Sequence, residues 1–121
     1  MTKKRVVVTG LGCLTPIGCN KDEFWKSLLD GKSGAKTIDF LEVDKLPVKF
    51  SASVKDFQSD KYFEKKDLKK MDLFMQYGMA AGIDAVADAK LLDSNLNHDR
   101  IGVSIGSGIG GLYNIENTRD P

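Results

Sequence analysis

Apolar and polar positions alternate between two periods along the chain. Arg5–Thr9 (RVVVT) is a β-branched run and predicts a buried strand, which Gly10, Gly12, Pro16 and Gly18 then interrupt. From Asn20 the spacing becomes helical. Phe24, Trp25, Leu28 and Leu29 share one face, Asn20 is placed to cap the first turn with Glu23 three residues on, and Gly31 sits where a helix ends. Lys4–Gly31 therefore reads as a strand, a glycine turn and a helix. Val48, Phe50, Ala52 and Val54 alternate with polar residues after Pro47, which predicts a half-exposed strand with one apolar face. A long helix is expected from about Lys61 or Asp67 to Ala89, since Leu68, Met71, Met75, Gly78, Gly82, Ala85 and Ala89 step by three and four. Gly78 and Gly82 within it predict that another backbone packs close. Leu91–Asp99 is a polar loop. Ile101, Val103 and Ile105 then predict a short strand that runs through Gly106, Gly108, Gly110 and Gly111 into a helix beginning near Leu112, Tyr113 and Ile115.

This arrangement predicts an α/β fold and puts the 106–111 turn at the carboxyl end of a strand, where open α/β sheets bind ligands. The length of 121 residues suits one small domain, and 41% hydrophobic with 29% charged residues is ordinary for a soluble globular chain. A net charge of +1 gives no reason to expect nucleic acid or membrane as a partner. The apolar run Val6–Val8 is too short for a signal peptide, so a cytoplasmic protein is expected. Cys13 and Cys19 fit neither metal nor redox spacing and are expected as reduced, buried thiols; no metal or cofactor is expected.

Three constellations could carry chemistry. Gly106, Gly108 and Gly111 satisfy the G-x-G-x-x-G spacing of dinucleotide-binding turns, which leaves a nucleotide-binding oxidoreductase domain open. Lys61, Lys65, Lys66, Lys69 and Lys70 form a basic cluster, partly neutralised by Asp60, Glu64 and Asp67; it is either a solvated face or a docking patch for an acidic partner. A cysteine nucleophile has little support, because nothing places His98, the only histidine, near Cys13 or Cys19.

Three stretches taken together carry a resemblance. Arg5–Gly18 (RVVVTGLGCLTPIG), Lys69–Ala89 (KKMDLFMQYGMAAGIDAVADA) and Ile105–Leu112 (IGSGIGGL) resemble the N-terminal part of bacterial β-ketoacyl-acyl carrier protein synthases, type II. FWKSLLDGKSG and VKDF match in place, so the resemblance spans residues 1–121 as a partial N-terminal synthase domain. It implies a thiolase-like layered fold, of which this chain is part of the N-terminal half, and a homodimer. It also implies elongation of fatty acids by decarboxylative condensation of an acyl thioester with malonyl-acyl carrier protein. The glycine turn is then a condensing-enzyme feature. The family's catalytic cysteine, in a T-A-C-[ST] context, and its histidines have no counterpart here, so the expected catalytic set within these residues is none and Cys13 and Cys19 inherit no role. The resemblance assigns carrier-protein docking to Lys66, Lys69 and Lys70, and the lining and gating of the acyl pocket to Ile109, with Gly108 leaving room beside it. A non-catalytic module that binds carrier protein is the remaining alternative.

Overall fold

A computed structural model describes residues 3–39, 42–93 and 95–119. The chain forms two compact units, Met1–Gly12 with Gln58–Pro121, and Cys13–Phe57.

The Cys13–Phe57 unit is built on helix α1, Lys21–Leu29. The Asn20 side chain accepts a hydrogen bond from the Glu23 backbone N–H at 2.9 Å, satisfying a donor the first turn cannot pair internally. Glu23 reaches back one residue further than in the usual reciprocal box, and its carboxylate accepts from the Cys19 N–H at 3.1 Å. At the other end Gly31 takes φ +64, with Gly31 N–H on the Leu28 carbonyl at 3.1 Å and Lys32 N–H on Ser27 at 2.9 Å. That bond pair is the Schellman closure the glycine predicts. The expected apolar face is not the buried one: Trp25, Leu28 and Leu29 are exposed, and Ser27 is buried. The alternating stretch yields a shorter strand than expected. β1 (Lys36–Thr37) pairs antiparallel with β2 (Phe50–Ser51), with Lys36 opposite Ser51 and Thr37 opposite Phe50. Val48 and Phe50 lie exposed, so the period-two pattern does not mark a covered face within this unit. Cys13 and Cys19 are half-buried and form no disulfide, and the Cys19 thiol donates to the Lys55 carbonyl at 3.0 Å.

The other unit is organised by α3, Leu73–Asp88. The expected single helix from Lys61 or Asp67 is instead divided. A 3-10 turn covers Ser59–Lys61, a short helix α2 covers Lys65–Leu68, and the chain turns at Lys69 and Lys70 before α3 begins. The break falls at Asp72, an extended residue (φ −64, ψ 156) in the N-cap position, where aspartate is favoured over helix interiors. The Gln76 side-chain amide donates to the freed Met71 carbonyl at 3.0 Å. α3 closes at Lys90, with φ +49, through Lys90 N–H to Ala87 and Leu91 N–H to Val86, a Schellman closure built without glycine.

A backbone does approach α3 closely, though not at Gly78 and Gly82. It comes in at Ala81, Ala85 and Ala89, and the glycines that permit it are Gly10 and Gly12. A Cβ on Gly10 would lie 2.6 Å from the Ala89 nitrogen, and one on Gly12 2.7 Å from the Ala85 nitrogen. Leu11 N–H, between them, donates to the Asp88 carboxylate at 3.0 Å. Gly78 and Gly82 form a notch for a side chain instead: Ile105 Cγ2 would stand 3.2 Å from a Cβ on Gly78, and Ile105 Cδ1 3.8 Å from one on Gly82.

The predicted strands at Arg5–Thr9 and Ile101–Ile105 belong to no ladder among the described residues. A strand is defined by its partner, and the first run is bare on both sides: Val6, Val7 and Val8 are 94%, 65% and 78% exposed. A last helix, α4, spans Leu112–Arg119. No helix among the described residues is long and apolar enough to cross a membrane.

Candidate functional site

The first candidate region is the turn between Ile105 and α4. Gly110 takes φ +79, where a side chain would be strained, and its N–H donates to the Ser107 hydroxyl at 3.1 Å. The Phe74 ring lies against Gly110, 3.6 Å from where a Cβ would stand. A Cβ on Gly111 would run into the Asp72 carboxylate, which also accepts a hydrogen bond from the Asn114 amide. Asp72 thus faces the first turn of α4 rather than capping its own helix. Asp72, Phe74, Gly111, Asn114, Ile115 and Thr118 line a shallow open groove.

Gly106 and Gly108 have open space where a Cβ would stand, and Ile109 is 76% exposed. Neither Gly108 nor Ile109 lines the groove; they project from the turn that borders it. This geometry argues against the dinucleotide reading. A pyrophosphate needs the helix N-terminus beyond such a turn to be free for an anion. Here a carboxylate already occupies that approach.

The second region is the lysine segment. Lys66 lies within α2, Lys69 is its C-cap, and Lys70 stands in the turn beyond, its N–H on the Asp67 carbonyl at 2.9 Å. The three are exposed, Lys66 on the short helix and Lys69 and Lys70 on the turn that ends it. Lys66 pairs with Glu64 at 2.8 Å; both side chains are more than two-thirds exposed, so solvent screens the pair. Asp67 stands between Lys66 and the adjacent pair Lys69 and Lys70. Tyr62 precedes the segment, and its hydroxyl donates to the Asp84 carboxylate of α3 at 2.9 Å. Among the described residues no group of three His, Cys, Asp or Glu is placed to hold a metal ion.

Asp72, Asn114, Tyr62 and Asp84 were not among the candidates read from the sequence. Aspartate directly before the apolar run Leu73–Met75 is a helix-start signal that could have placed the break. Tyr62 and Asp84, 22 positions apart, carry no such signal.

The family model of the β-ketoacyl synthase N-terminal domain matches residues 3–120. The chain belongs to the β-ketoacyl synthase N-terminal domain family. Within that family it is 50% identical over 116 residues to a 3-oxoacyl-[acyl-carrier-protein] synthase 2 of Vibrio harveyi, covering 96% of this chain and 28% of the relative. It is likewise 50% identical over 116 residues to the synthase 2 of Vibrio cholerae, and 42% identical over 116 residues to that of Synechocystis, each across 28% of the relative's length. The chain thus spans under a third of these synthases. Among solved structures, the ishigamide ketosynthase/chain length factor superposes with a TM-score of 0.74 at 28% identity, over 96% of this chain and 29% of that one. The fold is the α/β, thiolase-like fold of the ketosynthases, represented by part of it. The glycine turn and the segment bearing the lysines are therefore features of a ketosynthase domain.

Proposed function

We propose that this domain serves a 3-oxoacyl-[acyl-carrier-protein] synthase, an acyltransferase that elongates fatty acids. In that reaction an acyl group passes from carrier protein to a cysteine thiolate, releasing the carrier thiol. Malonyl-carrier protein loses carbon dioxide, and the carbanion left attacks the acyl thioester, expelling the cysteine thiolate and forming the 3-oxoacyl product. The observation that carries the proposal is the 50% identity to two synthases of that name across 96% of the chain. Neither Cys13 nor Cys19 is assigned the nucleophile, and no catalytic residue is assigned within residues 1–121.

Two contributions are proposed for this domain. Lys66, Lys69 and Lys70 dock the acidic carrier protein, supported by their exposure on α2 and the turn that ends it. Ile109, with the open space beside Gly108, lines and gates the acyl pocket, supported by an apolar side chain projecting from a glycine turn. The protein is proposed to act as a cytoplasmic homodimer.

The test is the triple substitution Lys66→Glu, Lys69→Glu and Lys70→Glu in the enzyme carrying this domain. Exposed charge pairs contribute about 0.2–1 kcal/mol each, so three together predict a KM for acyl-carrier protein raised about three- to 150-fold. Reaction with a small acyl thioester lacking the protein should be unchanged. Equal losses on both substrates would assign the lysines to the fold.

A further inference from the structure

The lysine segment is organised by short-range bonds of its own. Tyr62 and Phe63 N–H groups both donate to the Ser59 carbonyl at 3.0 Å, Asp67 and Leu68 N–H groups to Glu64 at 2.9 and 3.2 Å, and Lys70 N–H to Asp67 at 2.9 Å. Such bonds shape a turn without fixing it to anything else. α2 has four residues, far too few to hold as a helix by itself. At its C-terminal side the segment runs directly into α3, where Gln76 holds the Met71 carbonyl. At its N-terminal side the Tyr62 hydroxyl donates to the Asp84 carboxylate at 2.9 Å, three turns into α3. Both residues are half-buried, so water competes less for this bond than for the exposed Lys66–Glu64 pair.

We infer that Tyr62 and Asp84 are positioning residues for carrier-protein recognition: their hydrogen bond fastens the lysine turn to α3 and presents Lys66, Lys69 and Lys70 already ordered. The inference rests on the docking role proposed above. Long, exposed side chains on a loose turn must be ordered when the partner arrives, and that cost is subtracted from the affinity. A turn fastened at both ends has met much of it beforehand. The two residues touch neither substrate nor reacting atoms and act only through the lysines.

The experiment measures binding of phosphopantetheinylated acyl carrier protein to the enzyme carrying this domain by fluorescence anisotropy over a range of salt concentrations. Tyr62→Phe keeps the ring and removes the donor. It should weaken binding about two- to tenfold, the equivalent of one net hydrogen bond, while leaving the salt dependence as it was because every charge is retained. Asp84→Asn and Asp84→Leu remove the same charge, and only the first keeps an acceptor; Asn should bind more tightly than Leu by a similar factor. In a Lys66→Ala, Lys69→Ala, Lys70→Ala background, Tyr62→Phe should have no further effect, which a general loss of structure would not reproduce. Amide exchange over residues 65–70 should quicken in Tyr62→Phe while that of α3 does not. If the triple-lysine change weakens binding and Tyr62→Phe does not, the inference is overturned and the docking role stands. Equal weakening by Tyr62→Phe with and without the lysines overturns it too. If the triple-lysine change leaves binding intact, the docking role itself fails and the inference falls with it.

Discussion

Replacing Gly12 by alanine tests how tightly the chain before Cys13 is seated on α3. No positive φ is involved at Gly12, so the substitution introduces no backbone strain of its own. The added methyl meets the Ala81 carbonyl oxygen and the Ala85 nitrogen, both backbone atoms of a 16-residue helix. Neither can rotate away as a side-chain tip would, so segment and helix must separate. Overpacking of this kind costs about 1–3 kcal/mol, and the unyielding neighbours place it in the upper part of that range. Separation also stretches the hydrogen bond from Leu11 N–H to the Asp88 carboxylate, 3.0 Å long, which adds about 1 kcal/mol. Against this, alanine narrows the unfolded ensemble and returns about 0.4–1 kcal/mol. The net loss expected is about 2–3 kcal/mol. Urea unfolding followed by helical circular dichroism at micromolar concentration reads it, as a midpoint lowered by about 1 M or more for a slope of about 1–3 kcal/mol per molar. Gly108→Ala is the control, since its Cβ enters open space without a positive φ. Ala81→Gly should not rescue Gly12→Ala, because the oxygen in the way belongs to the backbone. A Gly12→Ala unfolding free energy within about 0.5 kcal/mol of that of Gly108→Ala would refute the close seating.

Further outcomes follow from the helix ends and the exposed apolar runs. Lys90→Gly relieves a left-handed lysine at the end of α3 and should raise stability by about 0.5–1 kcal/mol, whereas Gly31→Ala imposes the same conformation on a side chain at the end of α1 and should lower it by about 1 kcal/mol, both read by thermal denaturation. Asn20→Ala removes the acceptor for the Glu23 N–H and should cost about 1 kcal/mol, seen as faster amide exchange in the first turn of α1. Val6, Val7, Val8, Val103 and Ile105 are all exposed, so light scattering on the 121-residue chain should show association that grows with concentration; a clean monomer at 100-fold dilution and at high concentration alike would count against it.

Local chemistry was the most legible part of the fold. Asn20 and Gly31 marked the ends of α1 because capping depends on residues within one turn of each other. The periodic stripe on α3 correctly implied a close backbone but assigned it to Gly78 and Gly82. The approach depends on which segment arrives at which face, and that is fixed by Gly10 and Gly12, some 70 residues away. The division of the long helix was hidden because Leu68, Met71 and Met75 keep helical spacing across it. Spacing records which side of an axis a residue occupies, and a short turn between two helices can preserve it. The strands at 5–9 and 101–105 were predicted from β-branched runs, which report suitability for a sheet and not the presence of a partner. The family was legible because three separated stretches agreed, whereas Asp72 with Asn114 and Tyr62 with Asp84 depend on contacts that no spacing encodes.

The Ile105 side chain seated over Gly78 and Gly82 acts as a datum for everything that follows it. A helix without side chains at two positions one turn apart offers a single axial location where a branched side chain can lodge. Sliding the 101–105 segment by one residue would bring Gly106 or Ser104 over that location, and neither has the bulk to fill it. The distance along the chain from this fixed point to Gly110, and so the reach of the loop that carries Ile109, is set by counting residues rather than by the flexibility of four glycines. Lengthening the loop by one residue would therefore shift Ile109 and its loop neighbours while leaving their origin on α3 in place, and so separates the position of the proposed gate from the integrity of the helix beneath it.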